Sequence, residues 1–335
     1  MKKCLIVFNP TSGHAVSGKV LEKFREKLDK RNYSVKIIST EYAGHATEIV
    51  RDSEKVDIIF SIGGDGTLNE VVRGNYLRDD KIPICPISAG TCNDVATMFG
   101  YGKDPVRNLE LALDGGEVNE MDIGVINDKP FAYVVGVGSF MNIPYETKTI
   151  EKKKSGYLAY IKAALPEIIN KLKRYKVEVE VDGERKDGNY SLIMVSNSNH
   201  IAGVDGFHKN VCLDDGEMEV LLCTAKNKRE FVQSFASYLI RGKSERIISL
   251  RGHDVSIKFL DKPEKNWCVD GEKLDYDGHQ YTIKVGKRIP FVTALKNKVK
   301  VKRLFRENHR IKYSWLFLEI WYDESRRIIW RKFYY

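Results

Sequence analysis

Apolar runs and helical spacings alternate along the first part of the chain. Four short apolar runs, KCLIVF, SVKIIS, VDIIFSI and IPICPIS, predict β-strands. Between the first two runs, Val20, Phe24 and Leu28 recur at helical spacing and predict a helix over residues 16–31. Two more helices are predicted to begin near Thr47 and at the stretch Thr67–Gly74. Strands that alternate with helices predict a parallel sheet with crossover helices.

The pattern changes near Met121-Asp122. Strand-like segments now follow one another, from DIGVIN through YTIKVG and PFVTAL, and Asp-Gly turns separate some of them. Such turns are typical of antiparallel hairpins, so a β-sandwich is predicted. Helical stretches interrupt it at 156–174, which contains Pro166, and at 228–241.

Two domains and a tail are therefore expected. The predicted limits are an α/β nucleotide-binding domain with a parallel sheet over 1–122, an antiparallel β-sandwich domain over 123–286, a return to the first domain over 287–300, and a tail over 301–335. The length of 335 residues also favours two domains over one.

The composition of the chain indicates a cellular compartment. The six cysteines are scattered with no CxxC pair, which fits a reducing cytoplasm and argues against a zinc site. The seven histidines form no metal-binding pattern. The opening MKKCLIVFNP is predicted to be a first strand, not a signal peptide, and no apolar run is long enough to span a bilayer.

Charge is concentrated at the end of the chain. Residues 296–335 carry 12 Lys and Arg against 4 Asp and Glu, a net charge of +8, whereas the whole chain has a net charge of +9. Because this basic segment is also rich in Trp, Tyr and Phe, it suits an anionic surface. Either a membrane-binding tail or a helix packed on the body, or a dimer contact, accounts for it.

Two glycine patterns suggest phosphate chemistry. GHAVSGKV, from Gly13 to Val20, resembles a P-loop but lacks the hydroxyl residue that would reach Mg²⁺, so it is dismissed. The preceding NPTSG offers short polar groups at the end of a strand, where backbone N–H groups can cradle phosphate. An ordinary Asn-Pro turn explains the same letters.

The stretch SIGGDGTLNEVVRG places an acid inside a glycine turn. Gly63 and Gly64 allow a ligand to approach the backbone closely, and Thr67 is expected to cap a helix that begins with Leu68. The positive end of that helix would suit nucleotide phosphates. Asp65 is then either a handler of Mg²⁺ at the reaction centre or a capping carboxylate in a tight turn.

Five motifs together resemble one known family. GGDGTLNE (Gly63–Glu70), FNPTSG (Phe8–Gly13), PISAGTCNDVA (Pro86–Ala96), LDDG (Leu213–Gly216) and VDGE (Val269–Glu272) are similar to the motifs of the diacylglycerol kinase catalytic family, in the same order. The resemblance covers residues 1 to about 300 and is closest to soluble bacterial diacylglycerol kinases, which are related to sphingosine kinases. An arginine often follows the GT-x-ND loop in this family, whereas this chain has Ala96 and Thr97.

The resemblance implies that ATP binds between the two domains and that its γ-phosphoryl group passes to a lipid hydroxyl. It implies nucleotide contacts at Asn9, Pro10, Thr11, Ser12, Gly13, Thr40, Gly64, Asp65, Gly66, Thr67, Leu68, Asn69, Glu70 and Thr91. It makes Glu272 the general base, and Asp65 a partner of the catalytic Mg²⁺ and ATP. A second, structural Mg²⁺ would be bound by Asp215 with the backbone carbonyls of Cys212 and Glu217, leaving Asp214 a bystander.

The chain contains an internal control for the proposed base. VDGE occurs twice, at Val181–Glu184 and at Val269–Glu272, and Asp-Gly is in both cases a strong hairpin signal. Only the position within the family pattern favours Glu272 over Glu184.

The expected function is therefore an ATP-dependent lipid kinase, with diacylglycerol as acceptor and phosphatidic acid as product. An NAD kinase is the alternative, and a non-catalytic, nucleotide-sensing membrane regulator is a third hypothesis. The expected partners are a membrane lipid and an anionic membrane surface, not nucleic acid, and a homodimer is left open. A cytoplasmic protein peripherally associated with the membrane fits these expectations.

Overall fold

The N-terminal part of the protein is a parallel sheet with helices between its strands. The computed structural model describes residues 1–12, 17–90, 92–138, 141, 172–205, 207–208, 211–261, 267–274, 278–294, 321–322 and 328–329. Its first elements are β1 (Lys2–Phe8), α1 (Gly18–Asp29), β2 (Tyr33–Ser39), α2 (His45–Asp52), β3 (Ile58–Gly63), α3 (Asp65–Leu77), β4 (Ile84–Ser88), α4 (Asp94–Met98) and α5 (Pro105–Leu113). The four strands are parallel in the order β4-β3-β1-β2.

The sheet is buried because its helices cover it with apolar side chains. All six residues of β3 are buried, as are Phe24 and Leu28 on α1, and this matches the helical spacing in the sequence. One expectation is wrong: α3 begins at Asp65, with Gly64 as its N-cap, and not at Leu68 with a Thr67 cap. The extended Gly64 lets the helix begin as soon as β3 ends, so Thr67 lies inside the first turn.

The C-terminal part is a sandwich of two antiparallel sheets. Its elements are β5 (Glu117–Ile126), β6 (Lys129–Phe131), β7 (Val134–Gly138), β8 (Tyr175–Val181), β9 (Glu184–Arg185), β10 (Gly188–Tyr190), β11 (Leu192–Ser196), β12 (His200–Ile201), β13 (Val204–Asp205), β14 (Met218–Cys223), α6 (Lys228–Arg241), β15 (Ile247–Gly252), β16 (Asp254–Phe259), β17 (Trp267–Val269), β18 (Glu272–Leu274) and β19 (Gln280–Thr293). Short strands β20 (Trp321–Tyr322) and β21 (Ile328–Ile329) pair with each other. The predicted fold class, α/β followed by an antiparallel sandwich, is confirmed.

The strand order of the second sheet is β15-β14-β11-β7-β17-β18. Alternate residues along its strands lie on opposite faces of the sheet. Ile193 and Val195 of β11 lie in the sandwich core, whereas Leu192 and Met194 lie in the other apolar cluster. Alternate side chains of a strand point to opposite faces, so the second face of this sheet is also covered. The helix α6 contributes Phe231 and Tyr238 to that cluster.

One long strand joins the two parts. β19 was expected as two segments, YTIKVG and PFVTAL, but it is a single strand of 14 residues. Its pairing with β5 shifts register between Val285 and Arg288, which is a bulge that keeps the strand continuous. Phe291 pairs in parallel with Ile84 of β4, so the first sheet runs on into the sandwich as one sheet of 11 strands. The domain limits at residues 122 and 286 stay predictions.

Two other expectations have limited structural counterparts. The helix predicted over 228–241 is confirmed as α6. The helix predicted over 156–174 lies mainly outside the described residues, and so does most of the basic tail over 301–335. Among the helices that the structure does describe, none has the length and apolar character needed to cross a membrane.

Close packing of α3 on α2 gives a test of this fold. A Cβ added to Gly74 would lie 2.5 Å from the Thr47 carbonyl oxygen and 2.8 Å from the Val50 Cβ. We expect Gly74→Ala to lower the free energy of unfolding by about 1–3 kcal/mol because the two helices must separate. Gly18→Ala in α1 is the control, since no atom lies within 4 Å of its added Cβ.

The measurement is the midpoint of chemical denaturation. Gly18→Ala should raise the free energy of unfolding by about 0.4–1 kcal/mol, through the reduced freedom of the unfolded chain. Equal effects of the two substitutions would contradict the packing of α2 on α3.

Candidate active site

Loops at the carboxyl ends of four parallel strands form one side of a cleft. Asn9–Ser12 follow β1, Thr40 follows β2, the turn at Gly64 follows β3, and Ala89-Gly90 follow β4. This edge is where open α/β sheets bind ligands. Main-chain bonds hold neighbouring loops together, since Asn9 N–H donates to Ile62 and Thr40 N–H donates to Phe8.

The glycines of these loops allow them to touch. A Cβ on Gly90 would lie 2.4 Å from the Gly64 Cα, and a Cβ on Gly63 would lie 2.5 Å from the Thr67 hydroxyl. Only glycine therefore permits this contact between the loop after β3 and the loop after β4. The first turn of α3 faces the gap between them.

The NPTS turn is built by its own side chains. The Asn9 carboxamide oxygen accepts from the Thr11 N–H at 2.9 Å and from the Thr11 hydroxyl at 2.8 Å. Its amide donates to the Thr67 hydroxyl at 3.2 Å, and the Ser12 hydroxyl donates to the Ala89 carbonyl at 3.2 Å. Three loops are therefore connected here. Gly13 and Thr91, predicted at the same site, lie outside the described residues.

Asp65 uses both carboxylate oxygens within the protein. They accept from the Asn93 N–H at 2.8 Å and from the Asp94 N–H at 2.7 Å. Burial, with the charge of Asp94 as a second cause, raises the pKa of the Asp65 carboxyl. The sequence placed Asp65 at the reaction centre or in a tight turn, and the structure gives it a structural task there: it fixes the loop after β4.

Asp94 continues this connection into the sandwich. Its buried carboxylate accepts from the Ala202 N–H at 2.7 Å and the Gly203 N–H at 2.9 Å, at the tip of the β12–β13 hairpin. The His200 imidazole lies 3.5 Å away, and the Tyr133 hydroxyl is also hydrogen-bonded to it. Burial raises the pKa of Asp94 as well. Asp94 thus ties the loops at the edge of the parallel sheet to the β12–β13 hairpin of the sandwich.

The two VDGE segments adopt the same turn in different surroundings. Both have positive φ at Asp and Gly, 47° and 86° in the first and 49° and 85° in the second, as a type I′ turn requires. Glu184 is exposed and pairs with Lys186 at 2.6 Å. The second copy instead lies on the cleft.

Asp270 of that second turn is a buried anchor. Its carboxylate accepts from the N–H groups of Ala132, Tyr133 and Val134 at 2.5, 2.9 and 3.0 Å. Burial raises its pKa to about 6, although these bonds and Arg73 oppose the shift. Oriented to satisfy its neighbours, the Asn69 amide donates to Asp270 at 2.9 Å.

Glu272 faces the turn that contains Asp65. A Cβ on Gly66 would lie 3.2 Å from the Glu272 Oε1, so the two motifs meet across the cleft. The other oxygen, Oε2, is 3.4 Å from an Arg73 guanidinium nitrogen. Partial burial raises the pKa of Glu272, and Arg73 counteracts that shift. The protein therefore holds a carboxylate of enhanced basicity beside the glycine turn.

Three other predicted nucleotide contacts use their side chains inside the protein. Leu68 is in the apolar core, and Asn69 lies between Asp270 and Arg73. The Glu70 carboxylate accepts from the Gly44 N–H at 2.8 Å and the Ala46 N–H at 3.1 Å, at the start of α2. Their contacts with a nucleotide stay predictions.

At the predicted structural metal site, three acidic side chains lie around one cationic side chain, Arg251. Asp215 is 2.5 Å from an Arg251 guanidinium nitrogen, Glu217 is 3.2 Å from the same group, and the buried Glu219 is 3.5 Å from it. Burial raises the pKa of Glu219 to about 8. Over the described ranges, no three His, Cys, Asp or Glu side chains are arranged around a metal position.

Magnesium nevertheless fits the donor set. Asp215 and the backbone carbonyls of Cys212 and Glu217 offer only oxygen, which Mg²⁺ prefers, and Mg²⁺ retains several waters. Asp215 and Glu217 together carry more negative charge than Arg251 balances, even with Glu219 protonated at neutral pH. Asp214 is not idle, because its carbonyl accepts from Arg288 at 2.5 Å and its carboxylate accepts from the Cys212 thiol.

An apolar cavity of about 210 Å³ opens beside the glycine turn and the second VDGE turn. Its polar end is formed by Asp65, Asp94, Asp270 and Glu272. The rest of its wall is mainly apolar and includes Tyr133, Val134, Met141, Leu192, Met194, Ile201, Phe207, Phe235 and Cys268. A cavity of this kind suits a molecule with an apolar body and one polar end.

Sequence reasoning missed several residues that build this site. Asp94 was within the quoted GTCND motif but received no role, and Arg73 and Asp270 received none either. The acidic turns themselves were the available signal. Tyr133 contacts Asp94 and Arg73 contacts Glu272. Because these partners are distant in sequence, no local pattern marks Tyr133 or Arg73.

Comparisons with known proteins agree with this geometry. Residues 3–126 match the model of the diacylglycerol kinase catalytic domain, and residues 135–285 match the YegS C-terminal NAD kinase β-sandwich-like domain. A diacylglycerol kinase of Bacillus subtilis is 29% identical over 277 residues, which are 81% of this chain and 90% of the relative. One from Staphylococcus aureus is 29% identical over 275 residues, with 81% and 86% covered.

A solved structure has the same fold. A diacylglycerol kinase from Bacillus anthracis superimposes with a TM-score of 0.70 at 22% identity, covering 88% of this chain and 98% of that protein. At this identity the likeness concerns the fold alone. The two domain models cover consecutive parts of the chain in the order that the motifs predict. The matches therefore assign residues 3–126 to the diacylglycerol kinase catalytic domain and residues 135–285 to the YegS-type sandwich domain, and they support a lipid kinase function.

Proposed function

We propose that this protein transfers the γ-phosphoryl group of ATP to the hydroxyl of a diacylglycerol-like lipid and forms phosphatidic acid. One observation carries the proposal: an apolar cavity whose polar end holds Glu272 and Asp65 beside the glycine loops. The names of the bacterial relatives agree with a lipid acceptor. The nucleotide is proposed to bind at the loops that follow the carboxyl ends of β1 to β4.

Glu272 is proposed to take the proton of the attacking hydroxyl. Proton removal by a positioned carboxylate is most effective when its pKa lies toward neutrality, and partial burial moves Glu272 in that direction. Arg73 lowers the pKa of this carboxylate and contacts its Oε2 at 3.4 Å, which orients Oε1 toward the turn. Arg73 therefore favours the charged form of the base, against the effect of burial.

Phosphate binding is proposed at the first turn of α3 and the NPTS turn. Helix α3 begins at Asp65, directly beside these loops, and the positive end of a helix favours anions. Asp65 holds the loop after β4 in place through its two N–H contacts and contributes negative charge for a cation. Mg²⁺, when bound, would neutralise phosphate charge during the transfer.

The cavity favours a lipid over NAD as acceptor. The sandwich resembles that of NAD kinases in its family description, so NAD is the alternative to consider. The adenosine ribose and pyrophosphate of NAD are polar groups, which would lose their hydrogen bonds to water against Leu192, Met194 and Phe207. An acyl chain loses nothing by entering the same space. Peripheral attachment to the cytoplasmic side of a membrane is proposed because the substrate resides there.

The duplicated VDGE turn gives a direct test of the base. We expect Glu272→Gln to reduce kcat by about a hundredfold to ten-thousandfold, because the acceptor proton then has no carboxylate to receive it. Glu184→Gln changes the same residue in the same turn and should leave kcat unaltered, since Glu184 contacts only Lys186 on the surface.

The measurement is transfer of radiolabelled phosphate from ATP to diacylglycerol in mixed micelles. Loss of activity in both variants, or in neither, would sink the assignment of Glu272.

Arg73 gives a test through pH. Because Arg73 lowers the pKa of Glu272, its removal should raise that pKa further. A base works when deprotonated, so activity rises with pH through its pKa, and Arg73→Gln should move the acid limb of kcat/KM to higher pH. Arg51→Gln is the control, because Arg51 pairs with Asp52 on the surface.

The pH profile of kcat/KM is measured for both variants and for the unaltered protein. An acid limb that stays in place in Arg73→Gln, or moves to lower pH, would show that Arg73 does not act on the base.

A further inference from the structure

We propose that the outer face of α6 docks this protein on an anionic phospholipid bilayer. The α6 outer face is defined by Val232, Ala236 and Ile240, with the cationic residues at both ends of the helix. This inference rests on the proposed function, because it names the surface through which a membrane lipid reaches the cavity. The predicted tail lies in a different part of the chain.

The apolar part of this face is a stripe that is exposed among the residues that the structure describes. Val232, Ala236 and Ile240 are four residues apart, so they lie on one side of the helix. Val232 is 48% exposed and Ile240 is 77% exposed. The opposite side of α6 buries Phe231 and Tyr238. The helix is therefore anchored by one apolar face and presents a second one to solvent.

Cations surround this stripe. Lys226, Lys228 and Arg229 lie at the beginning of the helix, and Arg241 and Lys243 lie at its end. The single acid between residues 226 and 243 is Glu230, which accepts from the Lys226 N–H and pairs with Arg246 at 3.2 Å.

The helix dipole accounts for Glu230 in the first turn and Arg241 in the last turn, but not for the cations at the start of the helix. Lys228 and Arg229 occupy the first turn, where the helix dipole favours acids. Exposed apolar side chains flanked by cations are instead the pattern of helices that lie in the headgroup region of anionic membranes. The cations would face lipid phosphates while Val232 and Ile240 enter the acyl boundary.

The position of the helix connects this surface to the acceptor site. Phe235, one residue before Ala236, lines the apolar cavity. A bilayer on the α6 outer face would therefore lie next to the wall of the cavity that ends at Glu272. The bilayer surface and the cavity would then be separated by the diameter of one helix, roughly 10 Å.

Charge disfavours the other occupants of this face. A second copy placed α6 on α6 would bring the same cations together, which is repulsive. The C-terminal segment 296–335 has a net charge of +8, so it too has the same sign as the α6 outer face. An anionic surface is the complementary partner.

Cosedimentation of the full chain with vesicles tests the proposal. The vesicles are phosphatidylcholine alone, or equal parts of phosphatidylcholine and phosphatidylglycerol. The double variant Val232→Ser/Ile240→Ser should bind the mixed vesicles at least about tenfold more weakly than the unaltered chain. Val118→Ser/Leu260→Ser is the matched control, because these residues are 57% and 44% exposed elsewhere, and it should bind as the unaltered chain does.

A charge variant separates electrostatic from apolar binding. Lys228→Gln/Lys243→Gln should lose about fivefold per removed cation on the mixed vesicles and nothing on phosphatidylcholine alone. Equal binding of all variants would overturn the proposal. Vesicle binding that is unaltered, together with a loss of dimers in sedimentation velocity, would assign the face to a second copy instead and also overturn it. Circular dichroism confirms that each variant is folded.

Activity distinguishes a failure of this inference from a failure of the proposed function. The variants should phosphorylate a short-chain, monomeric diacylglycerol at the unaltered rate and lose activity only when the acceptor is in vesicles. If the unaltered chain phosphorylates no lipid in either form, the proposed function fails, and the vesicle-binding comparison alone then decides the docking surface.

Discussion

The structure depends on carboxylates that accept backbone N–H groups from other loops. Asp65 holds the loop after β4 through Asn93 and Asp94, Asp94 holds the β12–β13 hairpin, and Asp270 holds the beginning of β7. Each acid is buried or partly buried, and burial raises its pKa. Hydrogen bonds to the charged form offset part of this cost. The result is a cleft whose two sides are fixed against each other at the place where chemistry is proposed.

The remaining architecture gives these acids their positions. The parallel strands bring the loops after β1 to β4 to one edge of the sheet. The long strand β19 continues the same sheet into the sandwich. The outer face of the second sheet then supplies the cavity floor, with Leu192 and Met194 alternating against Ile193 and Val195 of the sandwich core. Helix α6 closes the cavity with Phe235 on one side and offers an apolar, cationic face on the other.

Sequence reasoning reached the fold class and two of the four acids that line the cavity, Asp65 and Glu272, but for different reasons. Apolar runs predicted the strands because the parallel sheet is buried on both faces. The helical spacing of apolar residues predicted the helices that cover it. Glu272 could not be separated from Glu184 by its letters, since both turns have the same backbone. Only the order of motifs selected it, and the structure brings it to Gly66. Arg73 and Asp94 escaped notice because their partners are remote in sequence. The continuity of β19 was hidden by a bulge, which interrupts the alternation that marks a strand.

The central claim is that the cavity beside Glu272 accepts a lipid and not a dinucleotide. The most direct measurement offers the purified chain γ-labelled ATP, Mg²⁺, diacylglycerol in mixed micelles and NAD together, and identifies the labelled product. The account predicts label in the organic extract as phosphatidic acid, with none on NAD. Label on NAD, or on neither acceptor while ATP still binds, would contradict it.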